Sequence, residues 1–229
     1  MDLLDNPIWT ALTTHQSHLA QMYGSARRFP PEICPQGAFS GEPDEGFRSL
    51  VHLVREPVTL WTAESPQLPA GWSITRAVEL HVMEHRRVIS DMPSTPDSVI
   101  ELDPSDLPQM ATLYEATRPG RKLCPRLHEL GGFVGSRADG RVVAMACVRL
   151  HLPGYREIST VATLPGYTSQ GRATELVAAL AQRIHAEGER PFLTVRTDNT
   201  RAIDIYRRLG FETCCRLHST TIRWNAEAL

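Results

Sequence analysis

Residues 161 to 174 read Val-Ala-Thr-Leu-Pro-Gly-Tyr-Thr-Ser-Gln-Gly-Arg-Ala-Thr: a β-rich run, a turn, and the start of an amphipathic helix. Several backbone N–H groups at a helix start lack partners and the helix dipole is positive there, so this layout suits a phosphate or another anion. Gly171 and Ala173 let such a ligand come close. Taken alone, one glycine-containing loop is more often a plain strand-to-helix connection. A second pattern, His81-Val82-Met83-Glu84-His85, fits H-x-x-E-H, in which two histidines one helical turn apart bind zinc and the glutamate activates water. No clear Glu-bearing partner helix follows it before residue 90, and short histidine patterns arise readily by chance among nine histidines. A zinc peptidase is therefore a remote alternative, and no metal site is assigned.

The 229 residues, 41% hydrophobic and 22% charged, are enough to bury a sizeable core. A net charge of -2, with no dense Lys/Arg run interleaved with aromatics, argues against a nucleic-acid partner. The start of the chain is acidic, with neither a basic nor an apolar leader region, and no stretch approaches the roughly 18 apolar residues of a membrane span. A soluble, cytoplasmic protein is expected. Five cysteines without a C-x-x-C pair point to reduced thiols, and Cys214 and Cys215 on a strand would face opposite ways.

The elements that must position the loop read more clearly in the second half. Asn6-Pro7 opens a helix that carries Ile8, Leu12, Leu19 and Met22 and stops at Gly24. Leu50 to Val54 reads as a short helix, Val58 to Thr62 as a strand, and Ser73 to His85 as a strand followed by a helix. Residues 90 to 98, with two prolines among small polar residues, have linker composition. The chain is divided there into an N-terminal α/β region, 1–95, and a second domain, 96–229. Beyond the division come a strand at Val99 to Leu102 and a helix capped by Asp103-Pro104 and ended by Pro119-Gly120. A hairpin turns at Asp139-Gly140, and a strand follows from Glu157 to Thr163. The helix after the loop buries Leu176, Val177, Leu180 and Ile184. Strand, helix and strand then run from Phe192 to Trp224.

Four blocks in order make this second half resemble the GNAT superfamily of acyl-CoA-dependent N-acetyltransferases. They are Asp139 to Ala146, Glu157 to Pro165, Gly171-Arg172-Ala173, and Asn199-Thr200-Arg201-Ala202 with Tyr206-Arg207-Arg208-Leu209-Gly210-Phe211. The last, N-x-x-A-x-x-x-Y-x-x-x-G-F, is the most specific. The resemblance implies a mixed, mostly antiparallel α/β sheet with helices on both faces and acetyl-CoA as cosubstrate. Its pyrophosphate turn falls on Thr168, Ser169, Gln170, Gly171, Arg172, Ala173 and Thr174. Thr168 stands where the family usually carries Arg or Gln, and Ser169 replaces a frequent glycine; Arg172 could supply the charge. The resemblance also implies that main-chain groups of Val161, Ala162 and Thr163 meet the pantetheine arm, on a strand that splays from its neighbour.

Direct acyl transfer to an amine needs a neutral amine and a proton for the leaving thiolate. By resemblance Tyr206 is the general acid, with Asn199 lining the same cofactor arm seven residues earlier. Glu157 is the candidate base, on a face shared through strand alternation with Ser159, Val161 and Thr163. The simpler role for that carboxylate is an ion pair with Arg156 or Arg149, and His151 is the second candidate base. The expected function is N-acetyl or short-acyl transfer to a small-molecule or peptide amine. The alternative is a non-catalytic acyl-CoA-binding or regulatory relative. Acceptor contacts are expected from Arg118 to Leu130 and the N-terminal region, whose size and α/β alternation suggest a degenerate copy of the fold. A homodimer is compatible with this reading.

Overall fold

The computed structural model describes residues 3–86, 96 and 98–225. Its elements are α1 (Pro7–Thr13), β1 (Gln21–Tyr23), β2 (Ala26–Arg28), β3 (Gly37–Phe39), α2 (Pro43–Val51), β4 (Val58–Thr62) and β5 (Trp72–His85). They continue with β6 (Ile100–Leu102), α3 (Leu107–Thr117), β7 (Phe133–Ala138), β8 (Arg141–Leu152), β9 (Tyr155–Thr163), α4 (Arg172–Ala186), β10 (Arg190–Arg196), α5 (Thr200–Arg208) and β11 (Phe211–Trp224).

Eight strands form one sheet in the order β4-β11-β5-β10-β9-β8-β7-β6, and β1, β2 and β3 form a separate small sheet. Within the large sheet only β9 and β10 pair in parallel; every other neighbour is antiparallel. The fold is the expected mixed α/β arrangement. On one face of the sheet Leu176, Val177, Leu180 and Ile184 of α4 pack with Ile203 of α5 against Met83, Ile158 and Leu193. On the other, Ile8 and Leu12 of α1 and Met110 and Leu113 of α3 pack against Leu80, Met145 and Phe192. The linker read at 90–98 lies, except for residues 96 and 98, outside the described residues. Strands from both sides of it share the large sheet, with β5 between β10 and β11.

Three expected elements differ. The helix read at Leu50 to Val54 is the end of α2, which starts earlier, at Pro43, and gives way to a turn after Val51. α1 ends at Thr13, where the Thr13 and Thr14 hydroxyls donate to the carbonyls of Trp9 and Thr10 and draw the last turn away from regular helix. Ser73 to His85 is not a strand and a helix but lies within one 14-residue strand, Trp72–His85. Its end, Val82 to His85, is buried on both faces between β10 and β11, so the alternation that marks a half-exposed strand is absent. All five cysteines are free; Cys214 is the extra residue of a bulge in β11, exposed where Cys215 is half-buried.

Candidate active site

The β9–β10 ladder stops at the Ile158–Leu193 pair. Beyond it β10 stays paired with β5 through Arg196 while β9 remains with β8, so the sheet opens in a wedge. The opening coincides with a bulge in β9: Ser159 pairs with Cys147 and Ala162 with Met145, and Thr160 between them has φ 56°. A β-branched residue in the left-handed region is a true backbone outlier, held there by its surroundings. The bulge also shifts side-chain parity. Ile158 and Val161 pack toward α4 while Ala162 packs on the α3 face. The single face expected for Glu157, Ser159, Val161 and Thr163 is therefore broken at Thr160.

The wedge widens into a cleft of about 840 Å³ that runs to the start of α4. Of the expected cofactor residues, Val161, Ala162, Thr163, Thr168, Ser169, Gly171, Arg172, Ala173, Thr174, Asn199 and Tyr206 line it. Gln170 instead braces the loop, its Nε2 donating to the Gly166 carbonyl and its Oε1 accepting from Arg172, each at 3.3 Å. Gly171 is the N-cap of α4 with φ 82° and offers no side-chain cap, so the first N–H groups of the helix are left for a ligand. Ser169 adopts φ 64°, the left-handed conformation that a glycine would take without cost. Its Oγ accepts from Arg201 Nη2 at 2.8 Å, and Arg172 Nη1 reaches Ser136 Oγ at 3.2 Å. Two cations thus stand at the loop whose usual cation position holds Thr168. Arg201 carried no functional signal of its own in the sequence, only a place inside the Asn199 to Ala202 block.

α5 roofs the wedge. Asn199 caps it, with Oδ1 accepting from Ala202 N at 3.2 Å, which aims Tyr206 two turns later into the cleft. Burial raises the Tyr206 phenol to about 12, against a lowering influence from Arg118. Arg118, the C-cap of α3, crosses the opening: Nη2 donates to the Val161 carbonyl at 3.0 Å and the guanidinium lies 4.8 Å from the Tyr114 ring centroid.

The setting of Glu157 does not match the base expected of it. It is 0% exposed, and Arg149 donates to both of its oxygens, Nε at 2.8 Å and Nη2 at 2.7 Å. The Thr194 hydroxyl adds a further bond at 3.2 Å. Burial opposes the Arg149 charge and Glu157 more than offsets it, so the guanidinium pKa rises. Its partners Arg149 and Thr194 line a second chamber of about 560 Å³ beside the cleft, and the carboxylate itself reaches neither.

His151 lies elsewhere too. It meets Glu189 at 2.7 Å and lines a separate cavity of about 240 Å³ with Glu101, Arg156 and Arg183. Among the described residues His15, His151 and Glu189 bring ligand atoms within 4.8 Å of one another, but Glu189 is already paired with Arg156. The H-x-x-E-H motif lies on β5. Four strand steps of about 3.3 Å put its histidines ~13 Å apart, too far for one metal. His85 instead bridges His185 Nε2, at 2.8 Å, and the Leu209 carbonyl, at 3.0 Å.

Residues 133–221 match the model of the family described as FR47-like protein. Over 123 residues the chain is 27% identical to a mycothiol acetyltransferase of Streptomyces avermitilis, a match covering 53% of this chain and 38% of that protein. The match thus spans well under half the length of that curated relative. A solved structure from Novosphingobium aromaticivorans assigned to the GNAT acetyltransferases superposes on 99% of this chain and 100% of its own. It does so with a TM-score of 0.90 and 29% identity. A GCN5-related N-acetyltransferase from Kribbella flavida shares the fold over 92% of this chain and 95% of its own, at TM-score 0.58 and 20% identity. The parted strands, the open helix terminus and these likenesses agree: the chain has the fold of GNAT acetyltransferases, and its C-terminal half is similar to them in sequence.

Proposed function

We propose that this protein moves an acetyl or short acyl group from acyl-CoA directly to an amine. The observation that carries this reading is the wedge between β9 and β10, roofed by Tyr206 and continuous with the uncapped start of α4. The N–H groups of Gly171 to Thr174 receive the pyrophosphate, assisted by Arg172 and Arg201. The unpaired edge of β9 at Val161 and Thr163 takes the pantetheine amides as a strand would. Arg118 already occupies the Val161 carbonyl, so it shares or yields that acceptor when the arm enters.

Bound acyl-CoA supplies an activated thioester carbonyl; the chain orients it and manages protons. A phenol at about 12 is a poor full donor to a thiolate whose ordinary pKa is about 8.5, since complete transfer is uphill by roughly 3.5 units, or ~5 kcal/mol. Tyr206 therefore stabilises the departing sulfur chiefly through a hydrogen bond. Among the described residues no carboxylate or imidazole lines the wedge or its neighbouring chamber. The amine accordingly loses its proton to water, and the surrounding guanidinium groups favour its neutral form. Glu157 acts at one remove, holding Arg149 in the wall.

The reading is tested by thermal shift with acetyl-CoA followed by thiol release with amines. A ligand at about 100 times its dissociation constant adds ~2.7 kcal/mol, several degrees in a chain of this size. No stabilisation by any acyl-CoA would refute the proposal. Stabilisation without amine-dependent thiol release would favour the non-catalytic alternative, which the substitutions at Thr168 and Ser169 raise.

A further inference from the structure

Beside the wedge, on the face covered by the N-terminal segment and α3, lies the second chamber of about 560 Å³, whose shared wall with the cofactor cleft includes Arg76, Arg118, Arg121, Val161 and Tyr206. Buried in its wall are the apolar side chains of Trp61, Leu80 and Leu127. Its mouth is strongly cationic: Arg76 from β5, Arg118 and the Arg121-Lys122 pair after α3. Arg149 and Arg196, also in the wall, are balanced by Glu157 and Asp198. Arg118 donates only to neutral oxygens, those of Val161 and Thr117, and no ion pair holds Arg76, Arg121 or Lys122 among the described residues. Among the described residues no carboxylate lines the chamber. Burial, then Arg121 and Arg196, work against the charge on half-buried Arg76.

A chain of net charge -2 has carboxylates to spare, yet this concave site holds unbalanced guanidinium groups at mutual cost. An incoming anion relieves that cost, and a planar guanidinium matches a carboxylate through two parallel bonds. We infer that the acceptor is a carboxylate-bearing amine of amino-acid size, its carboxylate held at the chamber mouth by Arg76 and Arg121 and its amine directed into the wedge beside Tyr206. The inference rests on the acyl-transfer reading above. The apolar wall receives the acceptor's side chain.

The test uses the full chain with acetyl-CoA and matched acceptors: leucine, phenylalanine and glutamate against leucinamide, phenylalaninamide and isoglutamine. Turnover is read as thiol release, and acetyl-CoA binding separately by thermal shift. The free carboxylates should exceed their amides in kcat/KM by at least about tenfold, the scale of a charge-assisted hydrogen bond lost on amidation. In Arg76→Gln with Arg121→Gln the acceptor KM should rise by at least about tenfold for the acids and little for the amides, with the acetyl-CoA KM within about twofold of wild type. The single variants serve if the double variant is unstable. Amides used as well as acids would overturn the inference. So would a rise confined to the acetyl-CoA KM, which would assign these arginines to the cofactor's phosphates. Stabilisation by acetyl-CoA with no turnover of any of these free acids would overturn it as well while sparing cofactor binding. No stabilisation by acetyl-CoA would instead remove the acyl-transfer reading itself.

Discussion

Glu157→Gln separates a structural carboxylate from a catalytic one. The carboxylate is wholly buried and takes both bonds of the Arg149 fork at 2.7 and 2.8 Å, so the substitution removes one charge of a buried pair and turns an amide N–H₂ toward a guanidinium. Breaking such a pair from one side costs about 3–5 kcal/mol, because the remaining ion has neither solvent nor partner. Gln retains one acceptor oxygen, and Arg149 keeps its position 5.1 Å from the Trp61 ring centroid and its 16% side-chain exposure, so the lower end, about 3 kcal/mol, is expected. At roughly 2–4 °C per kcal/mol for a chain of this length, the melting temperature should fall by about 6–12 °C in a calorimetric or fluorescence melt. Replacing both partners, Arg149→Met with Glu157→Leu, should restore much of the loss, since no charge is then stranded. A Glu157→Gln protein that melts like wild type yet loses turnover, together with the rising limb of its pH–rate profile, would refute this assignment and return Glu157 to the role of base.

Tyr206→Phe should lower kcat by about 10- to 100-fold, the scale of one hydrogen bond to a charged group, with little change in acetyl-CoA affinity; unchanged turnover would remove the phenol from the mechanism. Arg201→Gln should weaken acetyl-CoA binding about three- to tenfold in calorimetric titration, and the loss should shrink at high salt. Burial holds the His185 imidazole below its ordinary 6.5, so the unfolded chain takes up that proton first as pH falls. Its contribution to stability should be complete above pH 6.5 and decline as pH drops through the lowered folded value. Denaturant midpoints between about pH 5 and 8 should show that slope, and His185→Gln should flatten it.

The second half was legible because its local signals agree with its geometry. Asn199 is both a good capping residue and the actual N-cap of α5, and Gly171 stands where the backbone turns left-handed before α4. β5 was misread because Val82 to His85 are buried on both sides, and a central strand then has neither alternation nor a helical stripe. The bulge at Thr160 left no mark, since a β-branched residue is the last one expected at φ 56°. Glu157 was named from its place on the strand, but its burial depends on Arg149, eight residues away across a hairpin, and on Thr194 of β10. Nothing local marks Arg76, which reaches the chamber beside the wedge only once β5 has been laid into the sheet.

The insertion of β5 between β10 and β11 also sets the order in which the chain can mature. A strand completed at residue 85 receives its partners only from residues 190 to 224, so until those residues are made it has no sheet to join. Contacts this distant in sequence slow folding, and a strand left waiting with Leu80, Val82 and Met83 uncovered is open to pairing with other chains. Folding yield should therefore depend on residues 190 to 224 arriving promptly. Fragments truncated before β10 should be insoluble even when they contain the whole loop between β9 and α4.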